Sequence, residues 1–235
     1  MDTIIILDFG GQYAHLITRR IRDLGVYAEI LPYDVPLEKI KAMNPKGIIL
    51  SGGPNSVYDI GSPQLPEEFY IYVSDEKIPV LGICYGHNLI AHQLKGKIEL
   101  SDYKEYGQSD LNVIIGTGLL EGFNNIETVW MSHGDQIKEL PEGFIVLAST
   151  ATTPNAVIAN DQKNLFGVQF HPEVGHTPKG KVVLENFVNK YTKAKKEWKL
   201  ENWVGQTIEN IRKRVGPENR VILGLSGGVD SSVVA

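Results

Sequence analysis

Cysteine is almost missing from this chain, with one among 235 residues, at position 84. A single cysteine closes no internal disulfide, and such sparse usage fits a reducing compartment better than a stapled secreted fold. Long apolar runs are missing too: none approaches the roughly 20 residues a membrane helix needs. The first apolar run, residues 4–7, is preceded by Asp2 and followed by Asp8, unlike the basic start of a secretory signal. A cytoplasmic protein with no membrane partner is expected. There is no excess of positive charge, since 23 Lys and Arg face 28 Asp and Glu for a net charge of −5. The densest basic stretch, Lys193, Lys195, Lys196 and Lys199, is short and broken by Glu197, so it reads as a solvated linker and nucleic acid is not an expected partner. Paired ligand spacing is also lacking among the six histidines. No metal site is expected, and His15, His92 and His176 read as surface or capping residues.

What is present is enough apolar material, 42% of the residues, to bury a substantial core and the start of another. Short β-branched runs alternate with helical stretches over the first two hundred residues, the pattern of parallel strands joined by crossover helices. The fold class expected is α/β, an open, mostly parallel sheet flanked by helices. Strands are expected at 4–7, 47–50 and 80–83. Residues 12–24 carry Leu16, Ile17, Ile21 and Leu24 at helical spacing and stop at Gly25. From residue 97 to 169 the runs shorten (111–115, 127–131, 144–149, 156–158, 165–169), which predicts a smaller, partly antiparallel extension. A closing amphipathic helix is expected over 180–195 and another over 200–215, then a break at Gly216-Pro217. A new strand over 221–225 should feed the glycine-serine loop at Ser226. The expected division is a domain over 1–195, a linker and helix over 196–219, and over 220–235 the truncated start of a second α/β domain.

The chemistry begins at Gly82-Ile83-Cys84-Tyr85-Gly86-His87, where a strand turns at once into a helix around the one thiol. This is the sequence form of a nucleophile elbow, whose flanking glycines let the crowded backbone segments approach. A thiolate needs a base, and Phe170-His171-Pro172-Glu173 offers one, with a carboxylate two residues on. Pro172 holds the tripeptide extended, so His171 and Glu173 point the same way and the carboxylate can orient the imidazole. A third segment, Ser51-Gly52-Gly53-Pro54-Asn55-Ser56, follows an apolar strand and offers backbone amides for a developing oxyanion. Each feature alone has an ordinary explanation: a small inert core residue, a polar loop, a turn. Their combination points to acyl transfer. The functional loops also leave the carboxyl ends of strands, the edge where open α/β sheets bind ligands.

These three segments resemble the signatures of the class I, triad-type glutamine amidotransferases. Asp8-Phe9-Gly10-Gly11-Gln12-Tyr13, Trp130-Met131-Ser132-His133-Gly134-Asp135 and Glu173-Val174-Gly175-His176-Thr177-Pro178 are similar to the GMP synthetase branch of that family. The run Ser226-Gly227-Gly228-Val229-Asp230-Ser231-Ser232 is similar to the pyrophosphate-binding loop that opens its ATP pyrophosphatase domain. The resemblance covers essentially the whole chain.

The resemblance implies a flavodoxin-like fold and hydrolysis of L-glutamine by Cys84, His171 and Glu173. Gly53 and Tyr85 would supply the oxyanion-hole amides, and Gly52, Asn88, Ser132, Gly134 and Asp135 would bind glutamine. It implies no cofactor for the glutaminase reaction. For the complete synthetase, a ligase of GMP and purine biosynthesis, it implies ATP, Mg and XMP, a partner ATP pyrophosphatase domain and a homodimer. The loop over 226–232 without the rest of that domain predicts no ATP pyrophosphatase activity from this chain alone, because a phosphate loop lacking its sheet and second substrate site cannot catalyse nucleotide chemistry. One departure stands out: where the family has Gly-X-Gln after the elbow, this chain has Gly86-His87-Asn88, an amide one methylene shorter. Other readings are the glutaminase chain of a different class I amidotransferase, a non-catalytic module on the same fold, or a cysteine hydrolase of the α/β-hydrolase kind. In that last fold the acid precedes the histidine, whereas Glu173 follows His171.

Overall fold

The computed structural model describes residues 1–234. It divides into two units, Met1–Glu197 and Trp198–Ala235, with Ala235 itself outside the described residues.

The first unit is built on one nine-stranded sheet in the order β2-β1-β3-β4-β9-β8-β7-β5-β6. Strands β1 (Thr3–Asp8), β2 (Tyr27–Pro32), β3 (Gly47–Leu50), β4 (Val80–Ile83) and β9 (Leu165–Val168) form its parallel half. Helices α1 (Ala14–Asp23), α2 (Leu37–Met43), α3 (Glu67–Asp75), α4 (Tyr85–Gln93) and α5 (Gly180–Asn186) surround it. Alternate residues of each parallel strand enter different cores. Ile4, Ile6, Ile49, Leu81 and Ile83 pack with Ile17 and Ile21 of α1 and Val183 and Leu184 of α5. Ile5, Leu7, Ile48, Leu50 and Val80 pack with Ile40 of α2, Phe69 and Val73 of α3, and Leu89 and Ile90 of α4. Burial on both faces is why these strands read as unbroken apolar runs.

The antiparallel half continues the same sheet. It contains β7 (Ile145–Ser149), β8 (Val157–Asn160) and a long ribbon of β5 (Lys97–Val113) with β6 (Ile126–Glu139). This corrects the short strands expected at 111–115 and 127–131. Cross-strand pairing extends them through polar sequence, with an irregularity between Leu100 and Glu105 where β5 advances five residues (100 to 105) against two on β6 (135 to 133). Strand β2 and helices α2 and α3 were not anticipated. The helix expected over 180–195 is instead α5 followed by a π-helical turn, Phe187–Thr192, ending at Lys193 in the left-handed region with φ 50°.

The second unit holds α6 (Leu200–Val215) and the short α7 (Val229–Val234). The strand expected over 221–225 does not form. Ile222 and Leu225 are exposed, and an apolar run becomes a strand only when another backbone accepts and donates its ladder bonds. Among the described residues no helix is long and apolar enough to cross a membrane.

Candidate active site

Four neighbouring parallel strands, β1, β3, β4 and β9, end on one edge, and the segments leaving β3, β4 and β9 carry Gly52, Gly53, Cys84, His171 and Glu173. Cys84 follows β4 and caps α4 with φ 53° and ψ −100°. A non-glycine residue with that backbone stores strain of about 1–3 kcal/mol and persists only where its surroundings enforce it. The enforcement is visible at the flanking glycines. A Cβ on Gly82 would lie 2.4 Å from the Gly86 carbonyl oxygen, and one on Gly86 would lie 2.5 Å from that of Leu50. The thiol is nearly buried and directs a weak contact of 3.6 Å to the Ser132 carbonyl. Tyr85 takes the first helical position, where the N–H has no acceptor within the helix.

His171 lies just beyond β9. Its N–H donates to the Trp130 carbonyl at 3.0 Å, while its own carbonyl accepts from Thr177 Oγ1 at 2.7 Å. Its Nδ1 meets Glu173 Oε1 at 2.7 Å, and the Glu173 side chain is fully buried. Arg20 Nε donates to the Glu173 carbonyl at 3.0 Å, tying the tripeptide to α1. Burial alone would strip the proton from His171. Hydrogen bonding with Cys84 and then with Glu173 outweighs it, pushing its pKa up from 6.5 to about 10. The two halves meet across Gly52, where a Cβ would stand 3.2 Å from His171 Cε1 and 3.7 Å from Cys84 Cβ. Gly53 is equally confined, since a Cβ there would lie 2.7 Å from the Phe9 carbonyl oxygen.

A cavity of about 390 Å³ opens on Cys84, and Gly53, Tyr85, Asn88, Ser132, Gly134 and Asp135 line it. Of the residues expected there, Gly52 faces instead a second opening of about 310 Å³, which also reaches Cys84 and His171. Asn88 is buried and its Oδ1 has no hydrogen-bond partner among the described residues. Lys104 and Asp135 bring opposite charges to the first cavity, and Tyr58 Oη donates to Asp135 Oδ1 at 2.8 Å.

Sequence reading missed the support behind Ser132 to Asp135. Glu105 Oε2 meets His133 Nε2 at 3.1 Å and accepts from Thr153 Oγ1 at 2.7 Å, while Glu105 Oε1 accepts from Thr150 Oγ1 at 2.9 Å. His133 Nδ1 meets the Asp135 carbonyl at 3.0 Å. Partial burial would raise the Glu105 pKa, but bonds from His133, Thr153 and Thr150 outweigh it and bring it down to about 2. This network fixes β6 where it faces Cys84. Glu105 and His133 are register partners 28 residues apart, so only the pairing of β5 with β6 shows it. His87 is wholly buried, neither ring nitrogen has a partner among the described residues, and burial holds it neutral with a pKa of about 3. Gly167 makes room for it, since a Cβ there would lie 2.4 Å from His87 Nδ1.

The Ser226 to Ser232 loop belongs to the second unit, and its hydroxyls bond within the loop itself. Ser231 and Ser232 donate to the Gly228 carbonyl at 3.0 and 2.8 Å, and Ser226 Oγ lies 3.0 Å from Ser231 Oγ. No strand feeds the loop, and α7 starts within it at Val229.

The family model for glutamine amidotransferase class-I matches residues 5–191. A glutamine-hydrolyzing GMP synthase of Lactobacillus johnsonii is 50% identical over 235 residues, all of this chain and 44% of that protein. The same enzyme of Aquifex aeolicus is 50% identical over 232 residues, 99% of this chain and 44% of that protein. The chain thus spans less than half the length of the curated relatives it matches. Among solved structures, a candidate GMP synthase component from Thermoplasma acidophilum superposes with a TM-score of 0.72 at 28% identity, covering 91% of this chain and 98% of that one. A glutamine amidotransferase from Thermotoga maritima, at 19% identity and a TM-score of 0.59, covers 91% of this chain and 92% of that one, and shares the fold.

Proposed function

We propose, for a chain that belongs to the glutamine amidotransferase class-I family, that it hydrolyses L-glutamine to glutamate and ammonia with Cys84 as nucleophile, His171 as acid and base, and Glu173 as the orienting carboxylate. The observation that carries this reading is the buried His171–Glu173 pair, 2.7 Å apart, facing a strained cysteine across a glycine.

Each residue's part follows from its environment. His171 takes the Cys84 proton, and attack of the sulfur on the side-chain amide carbon of glutamine places an oxyanion against the Gly53 and Tyr85 N–H groups. The proton on His171 passes to the departing nitrogen, so the C–N bond breaks as ammonia leaves and a Cys84 thioester remains. Water, deprotonated by the same imidazole, then cleaves the C–S bond. Glu173 keeps Nδ1 protonated and the ring turned toward Cys84 throughout. At the other end of the cavity, Lys104 and Asp135 offer a cation and an anion to the α-carboxylate and α-ammonium of the substrate.

For the longer protein of which the curated relatives are examples, the proposal extends to delivery of ammonia for ATP- and Mg-dependent amination of XMP to GMP by a partner synthetase domain, in a cytoplasmic enzyme that dimerises. No step of that amination is assigned to the residues of this chain.

The test is the intact mass of the chain after exposure to an electrophilic glutamine analogue. One equivalent should add to Cys84, excess L-glutamine should block the addition, and Cys84→Ala should take up none. Folded protein that stays unlabelled would overturn the proposal.

The unpartnered Asn88 Oδ1 gives a second expectation. Asn88→Gln extends the amide by one methylene toward bound glutamine, and one recovered hydrogen bond is worth about 1 kcal/mol, roughly fivefold. The Michaelis constant should fall by that factor with kcat little changed. A constant that is unchanged or higher would show that Asn88 does not face the substrate.

A further inference from the structure

Among the described residues two openings reach Cys84, and they share Gly53, Pro54 and Ser132 in their linings. The larger carries Asn88, Lys104 and Asp135 and takes the glutamyl chain in the reading above, on which this inference rests. The smaller is walled by Gly10, Gly11, Gln12 and Tyr13 on one side and by Gly52 and His171 on the other. Once the thioester has formed, the glutamyl group fills the first cavity. The nucleophile that resolves it must then arrive where His171 can deprotonate it, and the second opening is the one bordered by that ring.

The second opening is shaped for a small visitor. Gly11 lies so close to the Gly52 backbone that a Cβ would stand 2.4 Å from its carbonyl oxygen, and Gly10, at φ 86°, turns the loop there. Much of the wall is therefore backbone, and the bulkiest side chain on its Gly10–Tyr13 side is Tyr13. That ring meets His171 edge-on, with centroids 5.2 Å apart and planes at 73°. The volume of about 310 Å³ holds several waters at ~30 Å³ each. We infer that this slot between the Gly10–Tyr13 loop and His171 is a nucleophile door beside the glutamyl cavity, that it admits water or a small amine to the Cys84 thioester, and that Tyr13 sets the size admitted.

The chemistry of a test is balanced by one added reagent. An N-substituted hydroxylamine attacks the thioester carbon through nitrogen. The C–N bond forms, the C–S bond breaks, its proton returns through His171 to the Cys84 sulfur, and the product is a γ-glutamyl hydroxamate in place of glutamate. No oxidant or reductant is required.

The measurement is the ratio of hydroxamate to glutamate formed from L-glutamine in the presence of N-benzylhydroxylamine. Tyr13→Ala should raise the ratio by at least about tenfold, the low end of what one steric contact in a pocket discriminates. The Michaelis constant for glutamine should change less than about twofold, because Tyr13 does not line the first cavity. Gln12→Trp narrows the same mouth from an exposed position and should lower the ratio, so the inference does not depend on one variant folding. Leu100→Ala, at the first cavity, should leave the ratio where it is. A ratio indifferent to Tyr13→Ala and Gln12→Trp, with glutamate still produced, overturns the door and spares the glutaminase reading. A ratio that instead follows Leu100→Ala overturns it as well, by showing entry through the first cavity. Wild-type protein that makes neither product overturns both.

Discussion

Replacing His171 with glutamine is expected to lower kcat for glutamine hydrolysis by about 10³- to 10⁴-fold, the scale for a proton-transfer group working as one unit with its nucleophile. Glutamine fills similar space and can still bond Glu173, so the fold should survive and the loss should fall on chemistry. The pH dependence makes the expectation sharper. Burial opposes the imidazolium, but Cys84 and Glu173 together stabilise it enough to raise the pKa from 6.5 to about 10. A folded-state pKa above the unfolded one adds stability that is complete below the unfolded value and is lost as pH rises through the folded value. For His171 the window is therefore pH 6.5 to about 10. The wild-type protein should lose stability across it relative to His171→Gln, and thermal unfolding of the two at several pH values would show their Tm difference changing in that direction. Wild-type kcat should hold through neutral pH and decline near pH 10, as the proton destined for ammonia is lost. A decline already complete by pH 8, or a variant within tenfold of wild type, would remove His171 from the role given to it.

How much of this was legible beforehand depended on where the physical constraint lay along the chain. Strands 47–50 and 80–83 were readable because burial on both faces writes an unbroken apolar run, and β3 and β4 have those bounds. The elbow was readable because a strained turn against two other backbones admits only glycine at Gly82 and Gly86, and His171 and Glu173 because their pairing is local. The ribbon of β5 and β6 was not. Its residues alternate between burial and solvent, its register slips between Leu100 and Glu105, and what extends it is a partner strand rather than its own composition. The Glu105–His133 network inherits that invisibility. The run at 221–225 fails in the opposite sense, since its β-branched sequence is strand-like but nothing pairs with it in this unit. Asn88 was flagged by a family pattern, yet only the structure shows that its oxygen is buried without a partner.

Gly86→Ala isolates the elbow's physical cause. Gly86 lies in the first turn of α4, and in an unencumbered helix interior the same change stabilises by about 1 kcal/mol, because alanine loses less backbone entropy on folding. Here the added Cβ would sit 2.5 Å from the Leu50 carbonyl oxygen and 2.6 Å from the Leu50 Cβ. Neither can rotate away. Leu50 closes β3 and is buried, and the Gly86 N–H is bonded to the Ser51 carbonyl at 3.2 Å, so α4 cannot lift without breaking that bond. Overpacking against flexible side chains costs about 1–3 kcal/mol, and against backbone the cost should reach or pass the upper end of that range. Urea unfolding should therefore show Gly86→Ala destabilised by at least ~3 kcal/mol, opposite in sign to helix propensity. The functional consequence follows from the same displacement. Moving α4 away from β3 separates the Tyr85 N–H from that of Gly53 and relaxes the backbone of Cys84, so the fraction that remains folded should also lose glutamine-protected labelling. If the variant proved as stable as wild type and were labelled equally fast, the close approach of β3 to α4 would not be what positions Cys84, and the elbow would have to be held by Gly82 alone.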